Sequence, residues 1–210
     1  MASPYGAARR WGCHDGPVPS SPIVLRSTDP RVPTLLAEGW AVSARSWAAR
    51  LDLAGPDHLA MEAAARRLDG LLEVRRLEQG DVPAALDLDR VTCGDYPGDV
   101  ATAHRALTTG TAAPSPGRRA FGAFEPDGRL VGMTYVDVDG TTAEVDFTVV
   151  AGERRGRGIG TGLKAASMLA LARDGVATVR TGGSDDNTAI VAANEALGFV
   201  VDERWVTLRR

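Results

Sequence analysis

Between Thr142 and Leu171 the chain reads TAEVDFTVVAGERRGRGIGTGLKAASMLAL, and no other stretch constrains its fold as tightly. Thr142 to Val150 alternates: apolar Val145, Phe147 and Val149 stand against Glu144, Asp146 and Thr148, the two-residue period of a strand. Arg155-Gly156-Arg157-Gly158-Ile159-Gly160 follows. Then Leu163, Ala166, Met168, Leu169, Ala170 and Ala172 carry a helical pattern built from good helix formers. The unit is strand, glycine-rich turn, helix. Gly156, Gly158 and Gly160 remove the Cβ atoms that would hold a ligand away from the backbone. Amides at the start of a helix, with the positive end of its dipole, favour an anion, and Arg155 and Arg157 add charge to the same place. The residues describe a pyrophosphate cradle.

Spacing separates the families of anion loop. A Walker loop ends in Gly-Lys-Ser/Thr, whereas Lys164, the single lysine of the chain, lies a full turn into the helix. A dinucleotide fingerprint needs Gly-x-Gly-x-x-Gly, and here the third glycine comes too early. Arg-x-x-Gly-x-Gly after a strand remains, and it resembles the acyl-CoA-binding turn of the GNAT superfamily of N-acyltransferases. The competing reading is a Gly/Arg-rich surface turn in an arginine-heavy chain. An Arg-Gly segment for RNA is a third, opposed by the alternating strand and the helix that flank the turn.

Other classes are excluded by composition. A net charge of −3 argues against a general nucleic-acid binder, which needs a basic face. Cys13 and Cys93 give neither metal spacing nor a disulfide framework, and no apolar run reaches membrane-spanning length, so the expected setting is the cytoplasm. At 210 residues the chain is one ordinary domain plus something extra.

That extra lies at the N-terminus. Residues 1–22 are rich in Gly, Pro, Ser and Ala and read as a tail, with Trp11 and His14 idle within it. A short strand from Ile23, a helix over Val32–Glu38 and a strand over Trp40–Leu53 follow. Leu36-x-x-Gly39-Trp40-x-Val42-x-x-Arg45-x-Trp47 loosely echoes Leu197-Gly198-Phe199-x-Val201-x-x-Arg204-Trp205, a weak internal repeat. A helix over Gly55–Asp69, with Pro56 and Asp57 in its first turn and an exposed, idle His58, connects onward.

The main domain begins at Leu71. The expected elements are a strand through Leu72, Val74 and Leu77, then helices Val82–Thr92, capped by Asp81, and Val100–Leu107, with Tyr96-Pro97-Gly98 between them. A loop over Thr108–Gly117 precedes strands Ala120–Phe124 and Leu130–Val138, with hairpin signals at Pro126-Asp127-Gly128 and Asp139-Gly140. After the long helix come strand Val176–Thr181, helix Asn187–Leu197 capped by Asp185 and Asp186, and strand Phe199–Leu208.

This β-α-α-β-β-β-α-β-α-β order is that of the GNAT fold, an α/β architecture on a mixed sheet, and the resemblance covers about residues 71–210. It implies a domain at 71–210, with 23–70 as a truncated second GNAT end. It also implies acetyl-CoA, with two central strands splayed to admit the pantetheine arm. Val149 and Val150 would supply backbone groups to that arm, and Arg155, Gly156, Arg157, Gly158, Ile159, Gly160 and Thr161 would hold the pyrophosphate. Asn187 matches the asparagine that begins the next helix in many members. Asn194 stands where many carry a tyrosine near the sulfur, within Asn194-Glu195-Ala196-Leu197-Gly198-Phe199.

Acyl transfer to an amine needs a proton acceptor and a protonated leaving thiol. Glu144, in Ala143-Glu144-Val145-x-Phe147, resembles the base of the histone acetyltransferase branch. Asp146, two residues along, is expected on the same face, where it would raise the pKa of its neighbour; both could instead form a solvated strand face. Tyr96 borders the expected acceptor site, Tyr135 reads as packing, and thiolate release otherwise falls to water or the helix dipole. The implied activity is N-acetyl transfer from acetyl-CoA to a primary amine of a small molecule or protein, the alternative being a non-catalytic acyl-CoA sensor. One strand after the last helix leaves a gap that Trp40–Leu53 would fill, in its own subunit or in that of a homodimer partner.

Overall fold

The computed structural model describes residues 21–55, 58–95 and 100–210. The tail residues Trp11 and His14, the helix start at Pro56-Asp57 and the Tyr96-Pro97-Gly98 break lie outside the described residues. The elements are β1 (Ile23–Arg26), α1 (Arg31–Ala37), β2 (Ala41–Asp52), α2 (Leu59–Arg66), β3 (Glu73–Arg76), α3 (Val82–Thr92) and α4 (Thr109–Ala112), followed by β4 (Arg118–Phe124), β5 (Leu130–Asp139), β6 (Thr142–Val150), α5 (Ile159–Arg173), β7 (Thr178–Ser184), α6 (Thr188–Ala196) and β8 (Val200–Arg209). Eight strands form one sheet in the order β1-β8-β2-β7-β6-β5-β4-β3. One face is covered by α2 and α5, whose Met61, Ala64, Leu163, Met168 and Leu171 pack with Val145, Val179 and Phe199. The other carries α3, with Leu88 beside Tyr135 and Phe147.

β2 does not form a sheet of its own. It lies between β7 and β8, antiparallel to both, and fills the gap left by the single strand after α6. The internal echo has a physical form. Ala41–Arg50 and Val200–Arg209 show the same alternation over six residues followed by three buried ones, and the glycines before them, Gly39 and Gly198, have φ of 88° and 89°. β1-α1-β2 and β7-α6-β8 therefore face each other across the β2–β8 pair, β1 on β8 as β7 is on β2. At Trp47, Ala48 and Ala49 β2 is buried on both faces, and the Trp47 indole N–H donates to the Ser184 carbonyl at 3.3 Å.

The centre of the sheet opens. β6 is parallel to β7 only from Thr142↔Thr178 to Glu144↔Arg180, while it follows β5 along its whole length. A bulge sets the divergence: Tyr135 pairs with Phe147 and Val136 with Val145, so Asp146 is the extra residue. Bulges bend a strand and re-aim its side chains. Here Ala143 and Val145 belong to the α5 face, whereas Phe147 and Val149 belong to the α3 face. The unbroken alternation expected through Asp146 is corrected accordingly.

Close contact between α2 and α5 depends on Gly162. A Cβ there would stand 2.8 Å from Leu68 Cγ and 3.0 Å from the Ala64 carbonyl oxygen, neither of which can swing aside. Gly162→Val should therefore destabilise the protein by about 1–3 kcal/mol through overpacking, measured as a lower midpoint in urea unfolding.

Other boundaries move for identifiable reasons. Val100–Leu107 forms no helix, because the Leu107 amide donates to Asp89 Oδ2 at 2.8 Å instead of continuing a backbone ladder. A helical turn, α4, appears in the expected loop, capped by Thr108 and Thr111 bonding each other's backbone amides. Asn187, not Asp185 or Asp186, caps α6, its Oδ1 accepting from the Ile190 amide at 3.2 Å. Asp139 pairs with Thr142, so the hairpin loop is Gly140-Thr141, one residue late. His58 is part-buried, with Nε2 3.2 Å from the Leu53 carbonyl oxygen, and α2 starts only at Leu59.

Candidate active site

Strand β6 ends at Val150, and the turn after it runs into α5 with Gly158 as N-cap at φ 76°, a conformation that L side chains rarely adopt. No side chain caps this end and no acidic residue enters its first turn. The first helical amide bond runs from Gly162 to the Gly158 carbonyl at 2.9 Å, so Ile159, Gly160 and Thr161 bear the leading amides. A Cβ on Gly156 or Gly158 would project into open space, where a ligand approaching the backbone would have to lie. Ile159 itself turns inward and is buried, Thr161 is half-buried and Arg157 is exposed.

Arg155 is committed elsewhere. Its Nη2 lies 2.5 Å from Asp95 Oδ2, and its Nε donates to the Val150 carbonyl at 3.0 Å. That carbonyl, expected to face the pantetheine arm, thus already has a donor. Val149 pairs with Met133 of β5, and beyond Glu144 the second edge of β6 has no strand partner among the described residues.

Where β6 and β7 part, a cleft of about 380 Å³ opens, walled by Glu144, Asp146, Phe147, Ser184, Trp47 and His104 among others. Glu144 is half-buried, and burial pushes its carboxyl above the ordinary carboxylate range. Arg180 pulls it back, while Asp137 and Asp146 add to the rise. Asp146, re-aimed by the bulge, is exposed and bound to Arg118 Nη2 at 2.6 Å. Arg118 also holds Asp137 at 2.7 Å. The charge of Asp146 is thereby countered, which leaves Glu144 the better proton acceptor of the two. Asn187 lines the same cleft in addition to capping α6.

The other expected residues are placed differently. Asn194 is buried on α6 and accepts from Lys164 Nζ at 2.7 Å; its own amide nitrogen has no hydrogen-bond partner among the described residues. Tyr96 lies outside the described residues. Tyr135 is fully buried, stacked on Phe147 and donating to the Ala112 carbonyl at 2.9 Å, and burial pushes its hydroxyl up to about 12. Sequence reasoning missed His104, Lys164 and Asp89. His104, between Ala103 and Arg105, carries no motif or spacing that would mark it, and only the fold brings Asp89 to it.

A family model described as acetyltransferase (GNAT) family matches residues 87–199, just over half of the chain. The chain belongs to the GNAT acetyltransferase family. Among solved structures, this GNAT chain is similar to a GCN5-related N-acetyltransferase from Sphaerobacter thermophilus, with TM-score 0.66 and 17% identity, covering 90% of this chain and 58% of that one. It is similar also to a tandem GNAT protein from the clavulanic acid biosynthesis pathway, at 0.59 and 25%, covering 90% and 62%. The ribosomal-protein-S18-alanine N-acetyltransferase from Escherichia coli matches at 0.52 and 19%, covering 66% of this GNAT chain and 92% of its own. The chain spans about three-fifths of the length of the first two. No curated protein sequence is significantly similar to it.

Proposed function

We propose that this GNAT protein is an N-acetyltransferase that moves an acetyl group from acetyl-CoA to a primary amine. One observation carries the reading: a half-buried carboxylate with a raised pKa, Glu144, lies at the last β6–β7 pair, in the wall of the cleft that opens there. An ammonium must lose a proton before its nitrogen can attack, and a carboxyl raised toward neutral pH is suited to take it. Acetyl-CoA supplies the activated acyl group. Of this chain's residues, the leading amides of α5 at Ile159, Gly160 and Thr161 would face its pyrophosphate, with Arg157 adding charge. The edge of β6 beyond Glu144 would receive the amide-rich arm. The intended acceptor is cationic in solution, which suits a wall bearing Glu144, Asp146 and Asp137. The proposed setting is the cytoplasm; no helix among the described residues is long and apolar enough to cross a membrane.

The test is release of free coenzyme A from acetyl-CoA with a panel of primary amines; binding of acetyl-CoA without turnover for any amine would make the protein a sensor instead. The cradle has its own test. Gly158→Val places a branched side chain where the pyrophosphate would approach, and should weaken coenzyme A binding at least tenfold by calorimetric titration, roughly 1.4 kcal/mol or more. Gly128→Val imposes the same backbone strain at φ 86° in the β4–β5 turn and should leave that affinity unchanged.

A further inference from the structure

Four acidic or arginine side chains line the cleft among the described residues: the carboxylates Asp137, Glu144 and Asp146, and one cation, Arg105. Asp137 and Asp146 share Arg118, at 2.7 and 2.6 Å. Arg180, whose field reaches Glu144, is itself held by Asp202 at 3.0 Å and Glu203 at 3.3 Å. That leaves Glu144 and Arg105, whose side chains form neither an ion pair nor a hydrogen bond among the described residues. They are opposite in sign, and they do not meet each other. The backbone that carries Arg105 is fastened on both sides of it to one buried carboxylate of α3. Asp89 Oδ1 lies 2.6 Å from His104 Nε2, and Asp89 Oδ2 accepts from the Leu107 amide at 2.8 Å. An unpaired arginine on an open surface is ordinary. Here it shares with a half-buried, unpaired carboxylate a cavity of about 380 Å³, room for a small molecule.

A ligand that satisfies both groups carries a cation and an anion on one small frame. We propose that the acceptor is a small amine that also bears a carboxylate, in the simplest case an α-amino acid, with its ammonium against Glu144 and its carboxylate on Arg105. This rests on the acetyltransferase reading above. The planar guanidinium fork matches a carboxylate with two parallel hydrogen bonds, and charge assistance strengthens both. Alternatives meet a like charge: a diamine would set its second ammonium against Arg105, and a phosphate would bring an extra negative charge to a wall that already holds three carboxylates. Arg105 holds the acceptor's carboxylate equally before and during the reaction, so its contribution belongs to KM. Glu144 acts on the reacting nitrogen, so its contribution belongs to kcat.

The experiment uses the full chain and acetyl-CoA with the standard α-amino acids, each beside its carboxamide and the amine that lacks the carboxyl group. Wild type is compared with Arg105→Gln, Arg105→Lys and Arg105→Glu. The expected result is a kcat/KM for the best amino acid roughly tenfold or more above that of its carboxamide, the scale of a charge-assisted hydrogen bond. In Arg105→Gln the KM for that amino acid should rise by a similar factor at nearly constant kcat, and the preference over the carboxamide should disappear. Arg105→Lys should keep part of the preference, because the charge remains and the fork is lost. Arg105→Glu should turn the preference toward the carboxamide. A wild type that uses carboxamides or bare amines as well as it uses amino acids overturns the proposal and leaves the acetyltransferase reading in place. So does an Arg105→Gln variant that keeps the wild-type preference, or one that loses kcat at unchanged KM. Absence of turnover with every amine and amino acid would instead defeat the acetyltransferase reading, and this proposal with it.

Discussion

Glu144→Gln should lower kcat on the order of 10²- to 10⁴-fold while leaving coenzyme A affinity where it was, because the amide keeps the shape of the carboxyl and loses only its ability to accept a proton. The pH profile makes the expectation sharper. Activity requires the ionised carboxylate, so it should rise as pH increases through the Glu144 pKa. Burial lifts that pKa, with Asp137 and Asp146 adding to the rise against Arg180. The acidic limb should therefore lie above the ordinary carboxylate range, and it should vanish in the Gln variant. Asp146→Asn is the comparison. Asp146 is exposed and already paired with Arg118, so its loss should change kcat only a few-fold, through the slightly lower pKa left on Glu144. Equal losses in the two variants would place the proton acceptor elsewhere in the cleft.

The second large effect concerns stability. Lys164 is fully buried on α5, donating to Asn194 Oδ1 at 2.7 Å, with Thr181 Oγ1 at 3.4 Å and the Phe199 ring beneath it. No carboxylate forms an ion pair with it among the described residues, and burial pushes its amine down to about 7. In the unfolded chain the amine titrates near 10.5, so between about pH 7 and 10.5 the unfolded state holds a proton that the folded state has released. Stability must rise with pH across that window, and the full penalty applies below it. A shift of this size corresponds to on the order of 5 kcal/mol. Lys164→Met removes the titration at the cost of leaving the Asn194 carbonyl without its donor, about 1–3 kcal/mol at every pH. Relative to wild type, the Met variant should gain on the order of 5 kcal/mol as pH falls from 10.5 to below 7, read from urea midpoints at each pH. Parallel pH curves for the two proteins would show that the amine keeps its charge inside.

Local patterns made much of this legible. Thr142–Val150 matches β6 residue for residue, and the turn and long helix follow as spaced, because period-two alternation and glycine punctuation act over a few residues. The strand insertion could be anticipated from a missing neighbour beside Phe199–Leu208. Illegible were features that depend on partners far along the chain. The bulge at Asp146 comes from pairing with Tyr135 and Val136, and it separates two carboxylates that simple alternation puts together. Arg155 looks like a free cation until Asp95 is folded against it. Asp89 overrides the helical pattern at Val100–Leu107 by taking an amide that the helix would have used, and in the same act it brings a histidine to the cleft.

The place of β2 bears on how the chain is made. Its two neighbours are β7 and β8, and the β2–β8 partners stand between 150 (Arg50 and Val200) and 168 (Ala41 and Arg209) residues apart in sequence. During synthesis β2 leaves the ribosome well before β7 and β8 and waits, with both hydrogen-bonding edges open and Trp47 uncovered, until they have emerged. Domains translated in register with their contacts can settle segment by segment; this sheet cannot, since its second strand closes on its eighth. Closure of so long a loop adds to the entropic barrier, and the waiting strand is the part of the nascent chain most exposed to pairing with the wrong edge. Short, twisted or charged edges are the usual defence. Here the outer half of β2 alternates exposed and half-buried positions, with Arg45 among the exposed, while the apolar run Trp47-Ala48-Ala49 is kept for the end that β7 covers.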